Sequence, residues 1–343
     1  MENYCKILAE SGSPILKLNK VCILPFGGRV LGLYPEADLN VLWVNPALNE
    51  SDSAKTLLSG STWTNLGGDR TWISPEIEFF ISDLSRPMES YHVPKRIDPA
   101  DYQVISFDKD MVELETAMHV NFLRNSCKAM MGLRKRIIEL NAPDFPVPGT
   151  LSTAGYRQEC TLYSSDILPQ TAKPAIWNII QVPEGGDVII PVKKGYCPSA
   201  FFGKQRFKIE ADCIYASVPS AVESYKLGIH ANYCTGLMIY LNLSAPQAFM
   251  VVRWFEAGNT NDYFDVPYAD IGQGGFAQQI YIDDGTFGGF GEMEHHSRAI
   301  IPGTRDTAID RSTVWAFSGP GDDLKELSTF LTGFACRNID KSH

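Results

Sequence analysis

The sequence lacks any long uninterrupted hydrophobic run. None of its 343 residues belongs to a stretch approaching the roughly 18 apolar residues that a membrane-spanning helix needs. The first 13 residues contain the acidic Glu2 and have no extended apolar stretch, so they do not resemble a secretory signal. We therefore expect no membrane partner and a cytoplasmic location.

Clustered positive charge is also scarce. Lys and Arg number 30 against 40 Asp and Glu, which gives a formal net charge of -10, and the longest obvious basic run is residues 134–136. Binding to a nucleic-acid backbone requires clustered Lys and Arg, so we expect no nucleic-acid partner. Because 44% of the residues are hydrophobic and 20% are charged, the chain can build a folded core.

Several motifs of catalysis and metal binding are absent. The eight cysteines include no C-x-x-C pair, which argues against zinc-ribbon and thioredoxin-type sites. The H-x-H pair of metal cupins and the G-x-S-x-G motif of serine hydrolases are missing as well. These absences argue against a metal cupin and a serine hydrolase as well.

What the sequence does contain is a series of short β-branched and aromatic runs separated by Gly, Pro, Asn and Asp. Such runs predict strands, here over 21–26, 40–45, 76–82, 102–107, 187–192, 236–243 and 248–255. Residues 110–121 alternate in polarity and predict a half-buried strand. We expect the last four runs, from 102–107 onwards, to form the centre of the fold.

Helical signals are few. Residues 133–140 are compatible with one or two helical turns or with paired strands, and the acidic start at Gly321 predicts a helix to about Leu331, ended by Gly333. Many strands without alternating helices indicate a sandwich or a barrel. We predict an all-β fold with a minor helix near the C-terminus, forming a single domain over residues 1–343.

The most informative segment is 288–297, which contains two acidic residues and two histidines. In a strand, Glu292, Glu294 and His296 share one face, while Met293 and His295 share the other. Neighbouring carboxylates raise each other's pKa, which suits a general base, and the three side chains also suit a metal site. The alternative is a solvated strand face.

A second candidate is the Gly-rich segment 67–76. Paired glycines permit a close backbone approach, Arg70 offers a planar set of donors and Trp72 offers a flat apolar face, as sugar-binding sites often do. The alternative is a Gly-rich turn with a buried Asp69–Arg70 pair. His230, in the middle of the chain, is either a catalytic or a structural histidine.

Taken in order, these segments resemble the galactose mutarotase-like (aldose 1-epimerase) superfamily over residues 20–318. The segments that carry the resemblance are 27–30, 40–43, 67–72 with 75–76, 176–181, 226–228, 252–255 and 292–294. The resemblance implies a large antiparallel β-supersandwich with a concave sugar-binding face. It also implies interconversion of the anomers of a free aldose without a metal or cofactor.

In that family a carboxylate takes the proton of the anomeric hydroxyl while a histidine protonates the ring oxygen. The resemblance assigns Glu294 as the carboxylate and Arg70 as a substrate-binding residue. The segment 173–179, which resembles the family's histidine segment, contains no histidine. His230 and His296 are therefore the candidate acids.

Three functions follow as hypotheses. The first is an epimerase-like enzyme with Glu294, His230 and His296 as catalytic residues and a small carbohydrate as its partner. Arg70, Trp72, Asp69 and Glu292 would bind the substrate. The second is a carbohydrate-binding protein without catalysis, and the third is a metal-dependent sugar-processing enzyme that uses Glu292, Glu294 and His296.

Overall fold

A computed structural model of the protein describes residues 3–60, 63–219, 223–268 and 270–339. Strands dominate these residues, so the predicted all-β fold is confirmed. Their bounds are β1 Leu16–Lys17, β2 Val21–Leu24, β3 Arg29–Leu33, β4 Asp69–Ser74, β5 Gln103–Phe107, β6 Met111–Phe122, β7 Cys127–Leu140, β8 Ser152–Ser164, β9 Ala175–Pro183, β10 Asp187–Pro191, β11 Ser199–Phe202, β12 Lys208–Glu210, β13 Cys213–Ser217, β14 Tyr225–His230, β15 Leu237–Asn242, β16 Phe249–Phe255, β17 Phe276–Ile282, β18 Phe290–His296 and β19 Thr307–Ser318.

The strands form two antiparallel sheets that pack face to face. The nine-stranded sheet has the order β1-β2-β3-β4-β9-β18-β17-β14-β11, and the ten-stranded sheet has the order β12-β13-β10-β15-β16-β19-β8-β7-β6-β5. Polar contacts join the inner faces: Asp69 of β4 pairs with Arg253 of β16, and Asn178 of β9 donates to Asp310 of β19 at 2.8 Å. The apolar core lies between these faces.

Strand β6 shows how the sequence pattern produces the layers. Val112, Leu114 and Val120 are buried in the core, whereas Ala117 and His119 point outwards and are exposed. This alternation confirms the predicted half-buried strand over 110–121. Residues 133–140 belong to β7, which pairs with both β6 and β8, so the paired-strand alternative is the right one there.

Helices are a minor component of the described residues. They are α1 Asn3–Glu10, α2 Ser51–Ser59, α3 Glu76–Phe79 and α4 Gly321–Ile339, with 3-10 turns at Pro46–Asn49, Ala231–Tyr233 and Thr260–Asp262. Leu324, Leu327 and Leu331 of α4 pack on the outer face of the ten-stranded sheet. Among the described residues, no helix is long and apolar enough to span a membrane.

Two predicted strands are wrong. Residues 76–82 begin with helix α3, which starts directly after the extended residue Pro75 and carries the acidic Glu76 and Glu78 in its first turn, where the helix dipole favours negative charge. Residues 40–45 form no strand, and their one β-bridge joins Val44 to Gly67 in the described part of the chain.

Two further predictions need correction in their position. Strand β5 lies at the edge of its sheet rather than at the centre, and Val104, Ile105 and Phe107 are about half exposed (45%, 50% and 50%). Helix α4 continues past Gly333 to Ile339. A glycine weakens a helix by only about 1 kcal/mol, which the packing of Leu331 on the sheet offsets.

Candidate functional site

The candidate site lies on the face of the nine-stranded sheet that points away from the ten-stranded sheet. The register of β4, β9, β18, β17 and β14 aligns three rows of side chains across the strands: Gln181, Glu292, Tyr281 and Lys226; Arg70, Ile179, Glu294 and Gln279; and Trp72, Trp177 and His296. Because β18 is a regular strand, Glu292, Glu294 and His296 share this face, as their alternation predicts.

Glu294 stands in the middle row and is fully buried. Its Oε2 accepts a hydrogen bond from the Trp177 indole at 2.8 Å and lies 3.0 Å from the Lys226 ammonium. Its Oε1 has no hydrogen-bond partner among the described residues. Burial raises the pKa of Glu294, Lys226 opposes the rise and Glu292 adds to it. One oxygen is therefore held in place by two contacts, while the other has no hydrogen-bond partner among the described residues.

Lys226 is the cation at the centre of this group. Its Nζ lies 3.0 Å from Glu294 and 3.3 Å from Glu76, and 4.4 Å from the centre of the Trp177 ring. Burial alone would lower the pKa of Lys226, but Glu294, Glu76 and Asp265 together raise it. Lys226 is therefore a charged ammonium enclosed by carboxylates and an aromatic face.

Two further carboxylates complete the surroundings of Lys226. Asp265 accepts hydrogen bonds from the Gln279 amide and from the backbone N–H of Glu76, both at 2.6 Å. Burial raises the pKa of both Glu76 and Asp265. Together with Glu292 and Glu294, these residues give the face four acids and two cations, Lys226 and Arg70. The excess of two acids favours the protonated form of a carboxyl group on this face.

Arg70 and Glu292 form the second ion pair of the face. Arg70 Nη2 lies 2.7 Å from Glu292 Oε1, which also accepts a hydrogen bond from the Gln181 amide at 2.8 Å. The guanidinium lies 4.3 Å from the centre of the Trp72 ring and 5.1 Å from that of Trp63. The other two guanidinium nitrogens of Arg70, Nε and Nη1, have no hydrogen-bond partner among the described residues.

His296 is a neutral imidazole in this site. Its Nδ1 lies 3.1 Å from Ser74 Oγ, its Nε2 lies 3.8 Å from Asp265, and its ring stacks on Trp177 at 5.5 Å. Burial lowers the pKa of His296 well below the ordinary value, and Lys226 lowers it further. At neutral pH it therefore carries no proton that it can readily give away.

Unpaired polar atoms converge on the same face. They are Glu294 Oε1, Arg70 Nε and Nη1, Trp72 Nε1, Gln181 Oε1, Gln279 Oε1 and His296 Nε2, each without a hydrogen-bond partner in the described part of the chain. Gln158 and Gln278, between the sheets, also have such atoms. Ion pairs occur in both regions, and the outer face differs in adding the tryptophans Trp72 and Trp177, which gives it the chemistry of a polar-ligand site.

Two predicted site residues lie elsewhere. Asp69 faces the core between the sheets, where it pairs with Arg253 and accepts a hydrogen bond from the Tyr156 hydroxyl. His230 lies at the end of β14 with its ring 5.7 Å from that of Phe276. It is two strands and two residues away from Glu294, which corresponds to roughly 12 Å between Cα atoms.

The paired glycines before β4 allow the chain to pass close to neighbouring backbone. Gly67 and Gly68 have φ values of +94° and +79°. A Cβ on Gly67 would lie 2.3 Å from the carbonyl oxygen of Trp43, and one on Gly68 would lie 2.3 Å from that of Val30. The close approach that the sequence predicts is therefore an approach to neighbouring backbone, and it positions Arg70 at the start of the strand.

Sequence reasoning did not assign roles to Lys226, Glu76, Asp265, Trp177 or Gln279. One signal was available: Lys226 and Gln279 are polar residues within short, largely apolar strands, and a buried polar residue needs a partner. Asp265 lies between strands in an irregular segment, and no periodicity marks it. The register of distant strands brings these residues together.

Comparison with known proteins agrees with this architecture. The sequence model of the family of unknown function DUF6786 matches residues 42–343, and the chain belongs to that family. No protein of curated function matches the sequence. An Escherichia coli K12 protein described as a candidate aldose 1-epimerase superimposes with a TM-score of 0.51 at 9% identity, over 88% of this chain and 97% of that one.

A galactose mutarotase-like protein from Lactobacillus casei has a TM-score of 0.45 at 9% identity, and the match covers 90% of this chain and 99% of that one. At such low identity the first comparison shows the fold alone. The fold is thus a galactose mutarotase-like sandwich, as the sequence resemblance predicts.

Proposed function

We propose that the protein binds a small uncharged carbohydrate on this face and interconverts its anomers by general acid–base catalysis. The observation that carries the proposal is the asymmetry of Glu294. Trp177 and Lys226 hold its Oε2, and its Oε1 has no partner among the described residues. A buried carboxylate with a raised pKa and one free oxygen suits a general base.

The reaction needs one acceptor and one donor of protons. Glu294 Oε1 accepts the proton of the anomeric hydroxyl, the bond between C1 and the ring oxygen breaks, and C1 becomes a carbonyl. The Lys226 ammonium donates a proton to the ring oxygen. After rotation about the C1–C2 bond the steps reverse, and both protons return to their original sites.

We assign the acid to Lys226 rather than to a histidine. The neutral state of His296 and the distance of His230 from Glu294 both disfavour a histidine as the donor. Lys226 contacts the base directly and carries its proton at neutral pH. His296 remains a neighbour that orders Ser74 and stacks on Trp177.

Substrate contacts follow from the same face. The free Arg70 N–H groups donate to hydroxyl oxygens. The rings of Trp72 and Trp177, whose faces contact Arg70 and Phe80 and Lys226 and His296 respectively, form the apolar wall behind these polar groups. The amide oxygens of Gln181 and Gln279 accept hydroxyl protons. Since the acids outnumber the cations, this arrangement favours an uncharged sugar over an anionic one.

Two other functions use the same face. If the Glu294–Lys226 pair is purely structural, the protein is a carbohydrate-binding protein without catalysis. A metal-dependent activity is disfavoured by the donor set, because Glu292 and Glu294 already contact Arg70 and Lys226 at 2.7 and 3.0 Å. Within the described residues no group of three or more metal-ligating side chains is found.

The test is polarimetry of freshly dissolved α-aldoses with the wild type and a Glu294→Gln variant. The substitution keeps the shape and removes the base, so we expect a loss of at least about 100-fold. Glu113→Gln, at a strand Glu on the outer face of β6, is the matched control and should retain full activity. Acceleration of no sugar by the wild type would reject the enzyme and favour the binding protein.

A further inference from the structure

A groove of about 730 Å³ lies on a different part of the molecule, beside the end of β6. Strand β5 pairs with β6 only as far as Glu115, so the following residues of β6 form a free strand edge among the described residues. The segment 82–97 runs opposite this edge, and its backbone is attached to α3 by the hydrogen bond from His92 N to Phe80 O at 2.8 Å. The volume falls within the range of small-molecule sites.

The rim of the groove is basic. His92 and Arg96 come from the segment 82–97, His119 comes from β6 and Lys128 comes from β7. Asn121 pairs with Lys128 across the two strands, so His119 and Lys128 are diagonal neighbours on the same face. None of the described lining residues is acidic, although the chain as a whole has a net charge of -10.

These four basic side chains are also free of partners. None of them makes a side-chain hydrogen bond or an ion pair with another described residue. The cations further along β7 behave differently: Arg134 pairs with Glu115, and Arg136 pairs with Glu159. The two unpaired cations of the groove, Arg96 and Lys128, are therefore available to attract an anion.

The floor of the groove is apolar. Phe79, Phe80, Ile97 and Val120 line it, and each is at most 5% exposed. The ring of Phe80 stacks on Trp72 at 4.9 Å, so these two rings separate the groove from the carboxylate face. A ligand that matches an apolar floor below a basic rim has both a negative charge and an apolar body.

We propose that this groove binds a small organic anion, which carries a carboxylate or phosphate on a body with an apolar face. The anionic group contacts Arg96 and Lys128 with His92 and His119, and the body packs on the apolar floor at Phe79, Ile97 and Val120. The carboxylate-rich face has the opposite charge balance and does not compete for this ligand. The proposal stands independently of the anomer-interconversion activity.

The experiment is titration calorimetry with four probes that separate charge from apolar body. Phenyl phosphate and phenylacetate have both features, benzyl alcohol has only the apolar body and inorganic phosphate has only the charge. We expect the two organic anions to bind more tightly than the other two. The double variant Arg96→Gln/Lys128→Gln should weaken them by about tenfold, since each exposed ion pair contributes up to about a fivefold change in affinity.

Two control variants test whether the anion binds in this groove. Lys325→Gln removes a charge on α4 and should leave binding unchanged, which excludes a net-charge effect. Glu294→Gln should also leave anion binding unchanged, because Glu294 does not line the groove. This result is therefore independent of the anomer-interconversion hypothesis. Absence of binding by both organic anions, equal binding of inorganic phosphate, or equal affinity in the double variant would each overturn the proposal.

Discussion

Replacing Lys226 by Met gives the sharpest test of the carboxylate face. The substitution keeps the length of the side chain and removes the cation that lies 3.0 Å from Glu294 and 3.3 Å from Glu76. The acids then remain buried without it, and we expect a loss of stability that grows with pH. At low pH the acids take up protons and the loss is small.

The magnitude follows from proton linkage. Burial already raises the pKa values of Glu76, Glu294 and Asp265 above those of the unfolded chain. Without Lys226 the folded state holds more protons than the unfolded state over a wider range, so stability falls as pH rises. One additional proton held from pH 5 to pH 8 corresponds to ~4 kcal/mol, at ~1.4 kcal/mol for each pH unit. That agrees with the ~3–5 kcal/mol for breaking a buried pair.

The assay is urea unfolding of wild type and variant at pH 5 and pH 8. Lys135→Met is the matched control, because Lys135 is equally buried but its Nζ contacts the backbone carbonyls of Gly28 and Asp69 rather than carboxylates. Its replacement takes no cation away from a contacting carboxylate, so the loss of stability should differ much less between pH 5 and pH 8 than for Lys226→Met. An equal loss at both pH values for Lys226→Met would refute the reasoning.

Two further predictions concern the pH dependence of the anomerisation rate and the packing of helix α4. Burial raises the pKa of Glu294 to about 8, so the anomerisation rate of the wild type should rise with pH through that region as the carboxylate loses its proton. A polarimetric rate that falls over the same range would assign the base to another group. Leu331→Ala removes a side chain of α4 that is 1% exposed and should cost about 2–5 kcal/mol in urea unfolding. Lys325→Ala on the exposed side of the same helix should cost little, and equal effects of the two would show that α4 does not pack as described.

Sequence patterns predict much of the fold because the strands are locally encoded. The alternation in β6 and the apolar runs of β10, β15 and β16 each identify a strand without reference to distant residues. The edge position of β5 is not encoded in this way, since Val104, Ile105 and Phe107 have the composition of a buried strand although they are half exposed.

For the candidate site, too, local sequence patterns predict some of the residues and not others. The shared face of Glu292, Glu294 and His296 follows from alternation within one strand. Their partners do not, because Lys226 and Arg70 lie in strands β14 and β4, which occupy positions set by a non-sequential strand order. The sheet places β9 between β4 and β18, and no local pattern in the sequence specifies that neighbour.

Strand β18 supplies the carboxylate face and the core from alternate residues. Glu294 lies on one side, and its neighbours Met293 and His295 lie on the other, where His295 contacts Asp310 at 3.1 Å. An insertion or deletion of one residue within this strand would exchange both sets at once. The register of residues 290–296 must therefore be kept, and homologous chains should show no gaps within this strand.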